Sequence, residues 1–238
     1  MNRGKITPPF FEVGPKAYAW GDDVVALARR ADELSRAWGV AVIFTPQYVD
    51  IPAVAAAVDL VHVFAQHMDA LEPGRGIGAV LPEAIRAAGA TGVLLNHVER
   101  RLPRDVLERT IHRAQAVGLS TMVCADDVED AVTIARLAPD IVIVEEPLMI
   151  AGGKRSQAAR DSIAATNAAI RRVNPAIRVL HGAGINGPDD VYDVIASGAE
   201  GTGSSSAIFT AGDQSAVLET MIRATRQAWD SRQTMEDR

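Results

Sequence analysis

The 238 residues predict a single-domain α/β protein, a (β/α)8 barrel, on three observations. Short β-branched runs alternate with longer amphipathic stretches from one end of the chain to the other, the pattern of a parallel sheet whose crossovers are helices. No composition break, linker, low-complexity tract or fixed-period repeat interrupts that alternation. The length suits one barrel, since such barrels run to about 250 residues as one unit. A doubly wound open sheet is the alternative. It usually has fewer strands and often starts with a Gly-rich turn after strand one, where this chain offers Gly14 alone.

The predicted elements follow in order. Strand one is Pro9–Val13, then a helix over Gly21–Trp38, strand two over Val40–Thr45 and strand three over Leu60–Gln66. A Pro- and Gly-rich loop, Pro73–Gly78, comes next. Strand four, Gly92–Asn96, leads to a helix over Pro103–Ala116, and strand five, Ser120–Cys124, to a helix over Val128–Leu137. Strand six, Ile141–Glu145, is followed by a loop, Met149–Gln157, and a helix over Ala158–Val173. Strand seven, Ile177–His181, precedes a helix over Pro188–Ser197; strand eight is Gly198–Gly203 and the last helix Ser215–Trp229. In the helical stretches apolar residues recur at three- and four-residue spacing, with Arg, Asp and Glu on the other face. Residues 1–7 and 231–238 are expected to be flexible tails.

Composition narrows the function. Hydrophobic residues make up 48% and charged residues 23%, enough for a substantial core. The net charge of -6 supplies no basic field, so neither nucleic acid nor membrane is expected as a partner. An anionic substrate would need a local positive site. The one cysteine, Cys124, lies in an apolar run and reads as a buried strand residue; a chain without a disulfide fits a reducing compartment. The start, MNRGKITPPFFEVG, lacks signal-peptide character, and no run approaches the ~20 residues of a membrane span, so the expected location is cytoplasmic. No His/Asp/Glu cluster has metal-ligand spacing, and neither metal nor cofactor is expected.

Active sites of such barrels sit at the C-terminal ends of the strands, so polar residues there are informative. Four β-branched residues, Ile141–Val144, run directly into Glu145, a candidate general base; the apolar and then Gly-rich stretch to Lys154 suits a hinged lid that would exclude water. His97 follows strand four and opens a helical turn whose amides would keep its imidazole neutral, fit to donate to an oxygen becoming an enediolate. Glu99 and the arginines after it read as a supporting salt-bridge network. Lys16, just past strand one, could supply positive charge. Gly182–Gly184 and Gly201–Ser206 end strands seven and eight, where small residues let backbone amides approach a phosphate. His62 and His112 read as structural, and His67 as a residue supporting the mouth.

Together these residues resemble the triosephosphate isomerase family, especially its shorter archaeal-type branch, over nearly the whole chain. The carriers are TPQYVD at Thr45–Asp50, FAQHMD at Phe64–Asp69, NHVERR at Asn96–Arg101, VCA at Val123–Ala125, HGAGI at His181–Ile185 and the strand-six Glu with its lid. The resemblance implies a TIM barrel acting as an aldose–ketose isomerase of small sugar phosphates in glycolysis. Glu145 would be the base, His97 the neutral electrophile and Lys16 the electrostatic partner. Glu99 and Gln66 would support them. The amides of Gly184, Ser205 and Ser206, with Gly182 and the lid's Gly152, would hold the phosphate. The loop around Arg75–Gly78 would insert into a second subunit, giving a homodimer or homotetramer.

The family pattern is departed from in four places. Gly14 replaces the Asn of an Asn-x-Lys motif, Ile77 a Thr at the loop-three tip, Ala151-Gly152-Gly153 a Gly-Thr-Gly lid, and Glu146 a Pro. The catalytic trio is intact while its substrate-shaping neighbours differ, so a four-carbon ketose phosphate is the alternative substrate. A Schiff-base aldolase would need a lysine at a central strand end, where this chain has Glu145. A non-catalytic barrel is the remaining alternative.

Overall fold

The computed structural model describes residues 6–145 and 157–236. Its strands are β1 (Phe10–Val13), β2 (Ala41–Phe44), β3 (His62–Ala65), β4 (Gly92–Leu95), β5 (Ser120–Ala125), β6 (Ile141–Val144), β7 (Arg178–His181) and β8 (Gly201–Ser204). They close into one barrel in sequence order, each parallel to its neighbours. Closure runs from Phe10↔Gly201 to Val13↔Ser204, while the other edge of β1 pairs Phe10↔Ala41 to Val13↔Phe44.

Alternation along each strand sends successive side chains to opposite faces. Phe10 points into the lumen, part of one buried cluster with Ile43, Phe64, Met122, Cys124, Ile141, Ile143 and Leu180. Phe11 and Val13 point outward into a larger core against the helices. Both faces are buried, which is why the strands read as nearly continuous apolar runs. Two strand glycines are packing features: a Cβ on Gly201 would lie 2.4 Å from the Phe10 ring, and one on Gly92 would lie 2.3 Å from the Phe64 ring. Each large apolar side chain so buried contributes about 1.5–3 kcal/mol.

The helices are α1 (Asp22–Trp38), α2 (Ile51–Ala57), α3 (Pro82–Ala87), α4 (Arg104–Ala116), α5 (Val128–Ala135), α6 (Gln157–Val173), α7 (Pro188–Ala196), α8 (Ser206–Phe209) and α9 (Gln214–Glu236). α1 buries Val24, Leu27, Ala28, Ala31 and Leu34 at helical spacing and stops at Gly39, whose φ of 61° reverses the chain. The Asp127 carboxylate caps α5 by accepting from the Asp130 N–H at 2.8 Å.

The sequence expectations hold for the barrel and shift at element ends. β8 starts at Gly201, not Gly198, because the Gly198 N–H still donates to Ile195 O at the end of α7. β3 starts at His62 because the Leu60 and Val61 N–H groups donate to Asp32 Oδ1 at 2.6 and 2.9 Å. Three short helices, α2, α3 and α8, escape a reading based on periodicity, since four to seven residues make too few turns to show it. α9 continues through residues 231–236 of the expected tail. Residues 1–5 and 237–238 lie outside the described residues. So does the strand-six lid from Glu146, including Gly152 and Lys154, up to α6.

Candidate active site

The C-terminal ends of the strands surround a cavity of ≈ 390 Å³ that Lys16, His97, Glu145, Gly184, Ser205 and Ser206 line together. Glu145 stands one residue past β6, where its N–H donates to Ala125 O at 3.0 Å and keeps it in the sheet's ladder. Its carboxylate lies over Gly182, so closely that a Cβ there would fall 2.0 Å from Oε1. Gly182 has no side chain to compete for that space, which makes room for Glu145.

His97 is aimed by its predecessor. Asn96 adopts φ 60°, a conformation costly for a residue with a side chain. Three hydrogen bonds hold it there. Its Nδ2 donates to Cys124 O at 2.9 Å, its Oδ1 accepts from the Leu102 N–H at 3.1 Å, and its carbonyl accepts from Arg101 at 2.7 Å. The His97 ring then caps the next turn, Nδ1 accepting from the Glu99 N–H at 3.2 Å. That bond assigns the proton to Nε2, which lies 3.9 Å from Glu145 Oε2. The imidazole pKa is lowered to about 4, chiefly by burial and with help from the Lys16 and Arg101 charges, against the opposite pull of Glu99. The ring is therefore neutral at physiological pH, a donor toward the cavity.

Lys16 also sits at positive φ, 46°. Two side-chain amides clamp its carbonyl, Gln47 at 2.6 Å and Gln66 at 3.0 Å, and Gln66 also donates to Thr45 O at 2.9 Å. The Lys16 ammonium pairs with Glu99 at 2.7 Å, and that hydrogen bond holds the Glu99 carboxyl below the usual range. The pair is partly exposed, so its value lies in holding Lys16 beside His97 more than in stability. After β7, Ala183 and Gly184 turn through φ 55° and 67°, and after β8 Ser205 Oγ donates to Gly14 O at 2.6 Å, tying the β8 loop to β1.

Sequence reasoning missed three groups here. Gln47, within the TPQYVD motif, carries in its sequence no sign of its bond to Lys16 O. Thr45 ends strand two, and its hydroxyl donates to Glu12 Oε1 at 2.8 Å. Glu12 itself lines the cavity; its signal was an ionisable residue at an inward position of β1, in phase with Phe10. His67 supports the loop after β3: its ring bonds Asp69 at 3.2 Å, and Asp69 takes the Val80 N–H at 2.7 Å.

The model of the family described as triosephosphate isomerase matches residues 15–224. A triosephosphate isomerase from Methanobacterium bryantii is 36% identical over 225 residues, 93% of this chain and 99% of that protein. One from Saccharolobus solfataricus is 32% identical over 228 residues, 95% of this chain and all of that protein. The crystal structure of triosephosphate isomerase from Bartonella henselae superposes with a TM-score of 0.75 at 13% identity, covering 92% and 99% of the two chains; at that identity it speaks for the barrel.

Proposed function

The chain belongs to the triosephosphate isomerase family, and from that premise we propose that it interconverts dihydroxyacetone phosphate and glyceraldehyde 3-phosphate through an enediolate. The observation that carries the assignment of roles is the approach of His97 Nε2 to within 3.9 Å of Glu145 Oε2, in one cavity with Lys16.

Glu145 takes a proton from the carbon beside the carbonyl, and the electrons of that C–H bond move into the new C=C bond and onto oxygen. The His97 Nε2–H and the Lys16 ammonium face the oxygen as it gains charge. The protonated Glu145 then returns the proton to the adjacent carbon, while the hydroxyl proton moves between the two oxygens. A donor that is neutral at rest suits this step, because it stabilises the enediolate without fixing it as the enediol. The phosphate is held by backbone amides of Gly184, Ser205 and Ser206.

Two further readings accompany this one. Arg75–Gly78 stand exposed, Ile77 fully so, which supports a homodimer or homotetramer formed through that loop. No described helix is long and apolar enough to cross a membrane, and a cytoplasmic location fits the single buried cysteine. The test is an isomerase assay comparing dihydroxyacetone phosphate with erythrulose phosphates, with Glu145→Gln as control. Turnover of the triose phosphate by wild type alone supports the proposal. Equal rates for wild type and control overturn it, and a preference for the tetrulose moves the substrate to four carbons.

A further inference from the structure

Glu12 is a further carboxyl in the same cavity as Glu145 and Glu99, and nothing in the proton shuttle uses it. It points inward from β1, above a lumen filled by Phe10, Ile43, Met122 and Cys124. Glu12 is half-buried, and drawing a carboxylate out of water costs free energy unless a cation or several donors compensate. Among the described residues its hydrogen-bond partner is Thr45 alone, on β2. Lys16 is near enough to be felt, but its ammonium is committed to Glu99 at 2.7 Å.

The space around the carboxyl is reserved for it. A Cβ on Gly14 would lie 3.0 Å from Oε1, and one on Gly203, its register partner on β8, would lie 2.9 Å from Oε2. Both facing positions therefore lack a side chain, and the carboxyl occupies the volume that a larger residue 14 would fill. Its charge state follows from the groups around it. Its pKa is raised to about 7, chiefly by burial, with the Thr45 hydrogen bond opposing the rise, Glu145 at the end of β6 adding to it and Lys16 subtracting. Cys124, on β5, is a buried thiol pushed well above its usual range and contributes no charge. Near neutrality Glu12 thus holds a proton much of the time, with Oε1 accepting from Thr45 and Oε2–H left as a donor.

We propose that Glu12 contacts the substrate, donating a hydrogen bond from its neutral carboxyl to an oxygen of the sugar phosphate at the place a residue-14 side chain would otherwise reach. The proposal rests on the isomerase reading of the site and adds a specificity-determining residue to it. Ionisation removes that donor and sets a second negative charge beside Glu145 and an anionic substrate, so substrate binding weakens as pH rises through neutrality.

The test compares Glu12→Gln and Glu12→Leu with wild type for triose phosphate isomerisation above about pH 6.5, where the substrate phosphate is already mostly doubly charged. Wild-type KM should rise with a midpoint near the Glu12 pKa of about 7. In Glu12→Gln, which keeps shape and donor, that rise should vanish. In Glu12→Leu, KM should be about tenfold higher than in wild type near pH 6.5, the effect of one lost hydrogen bond, and should not rise with pH. A second arm measures dihydroxyacetone phosphate binding by calorimetry in Glu145→Gln, with and without Glu12→Leu, where about tenfold weakening is expected. An unchanged KM in Glu12→Leu, a Glu12→Gln profile that keeps the rise, or equal binding in the second arm overturns the proposal. If wild type turns over no triose phosphate, the isomerase reading falls while the binding arm still decides the role of Glu12.

Discussion

The two ends of the barrel handle charge in opposite ways. At the N-terminal end, Glu200 is buried and fully used. Its carboxylate accepts from the Val179 N–H at 2.8 Å, from Arg178 at 3.2 Å and from Arg171 at 3.1 Å. At the C-terminal end, Glu145, His97 and Glu12 line open space, and Lys16 and Asn96 hold strained backbone. Three of the four described non-glycine residues at positive φ, Lys16, Asn96 and Ala183, lie at that end. The lower end serves stability. The upper end lines a cavity with ionisable groups and holds strained backbone, which the rest of the fold offsets and which turns those groups toward a substrate.

The largest effect that would sharpen this contrast is at Glu145. Glu145→Gln should lower kcat about a thousandfold and leave the unfolding midpoint unchanged by calorimetry; a large loss of stability would mean that the upper end also carries the fold. His97→Gln comes next, at about a hundredfold in kcat. Its pH signature has a definite sign. The folded imidazole titrates near 4 against 6.5 for a free one, so between those values the unfolded chain binds a proton that the folded chain does not. The stability linked to neutral His97 is complete above pH 6.5 and is lost as pH falls toward 4. Urea denaturation should therefore show His97→Gln gaining on wild type at about pH 4.5 relative to pH 8, and equal offsets at both would break the assignment.

Glu200→Ala should cost about 2 kcal/mol of stability with kcat and KM intact. A change in kcat there would show the two ends to be coupled. The smallest effect is expected at Gln66→Ala, which removes one of two donors from the Lys16 carbonyl. A loss of about 1 kcal/mol in the positioning of Lys16 corresponds to roughly a fivefold fall in kcat/KM, measurable by steady-state kinetics at an unchanged melting temperature.

Much of the site was legible because strand ends are legible. Glu145 and His97 each follow an apolar run directly, so the barrel rule alone put both at the mouth. Lys16 was legible by place but not by posture: its positive φ and the clamp from Gln47 and Gln66 join residues 31 and 50 positions away. Gly182 shows the same limit. A glycine beside a phosphate loop and a glycine beneath a carboxylate look alike in sequence, and only the nearness of Glu145 Oε1 separates them. Glu12 was passed over because one charge inside a strand of Phe and Val looks like an edge residue until β8 closes onto β1 and turns it inward.

The sequence by itself determined the eightfold alternation, the closed parallel barrel and the strand ends at which chemistry would be found, because hydrophobic period and turn chemistry are local properties of the chain. Tertiary structure decided what those residues face. The neutrality of His97 depends on burial and on charges from β1 and the β4 turn. The proton on Glu12 depends on desolvation and on Glu145, more than a hundred residues away. Electrostatic environment is set by distance through space, and only the closed barrel brings β1, β4 and β6 to one cavity.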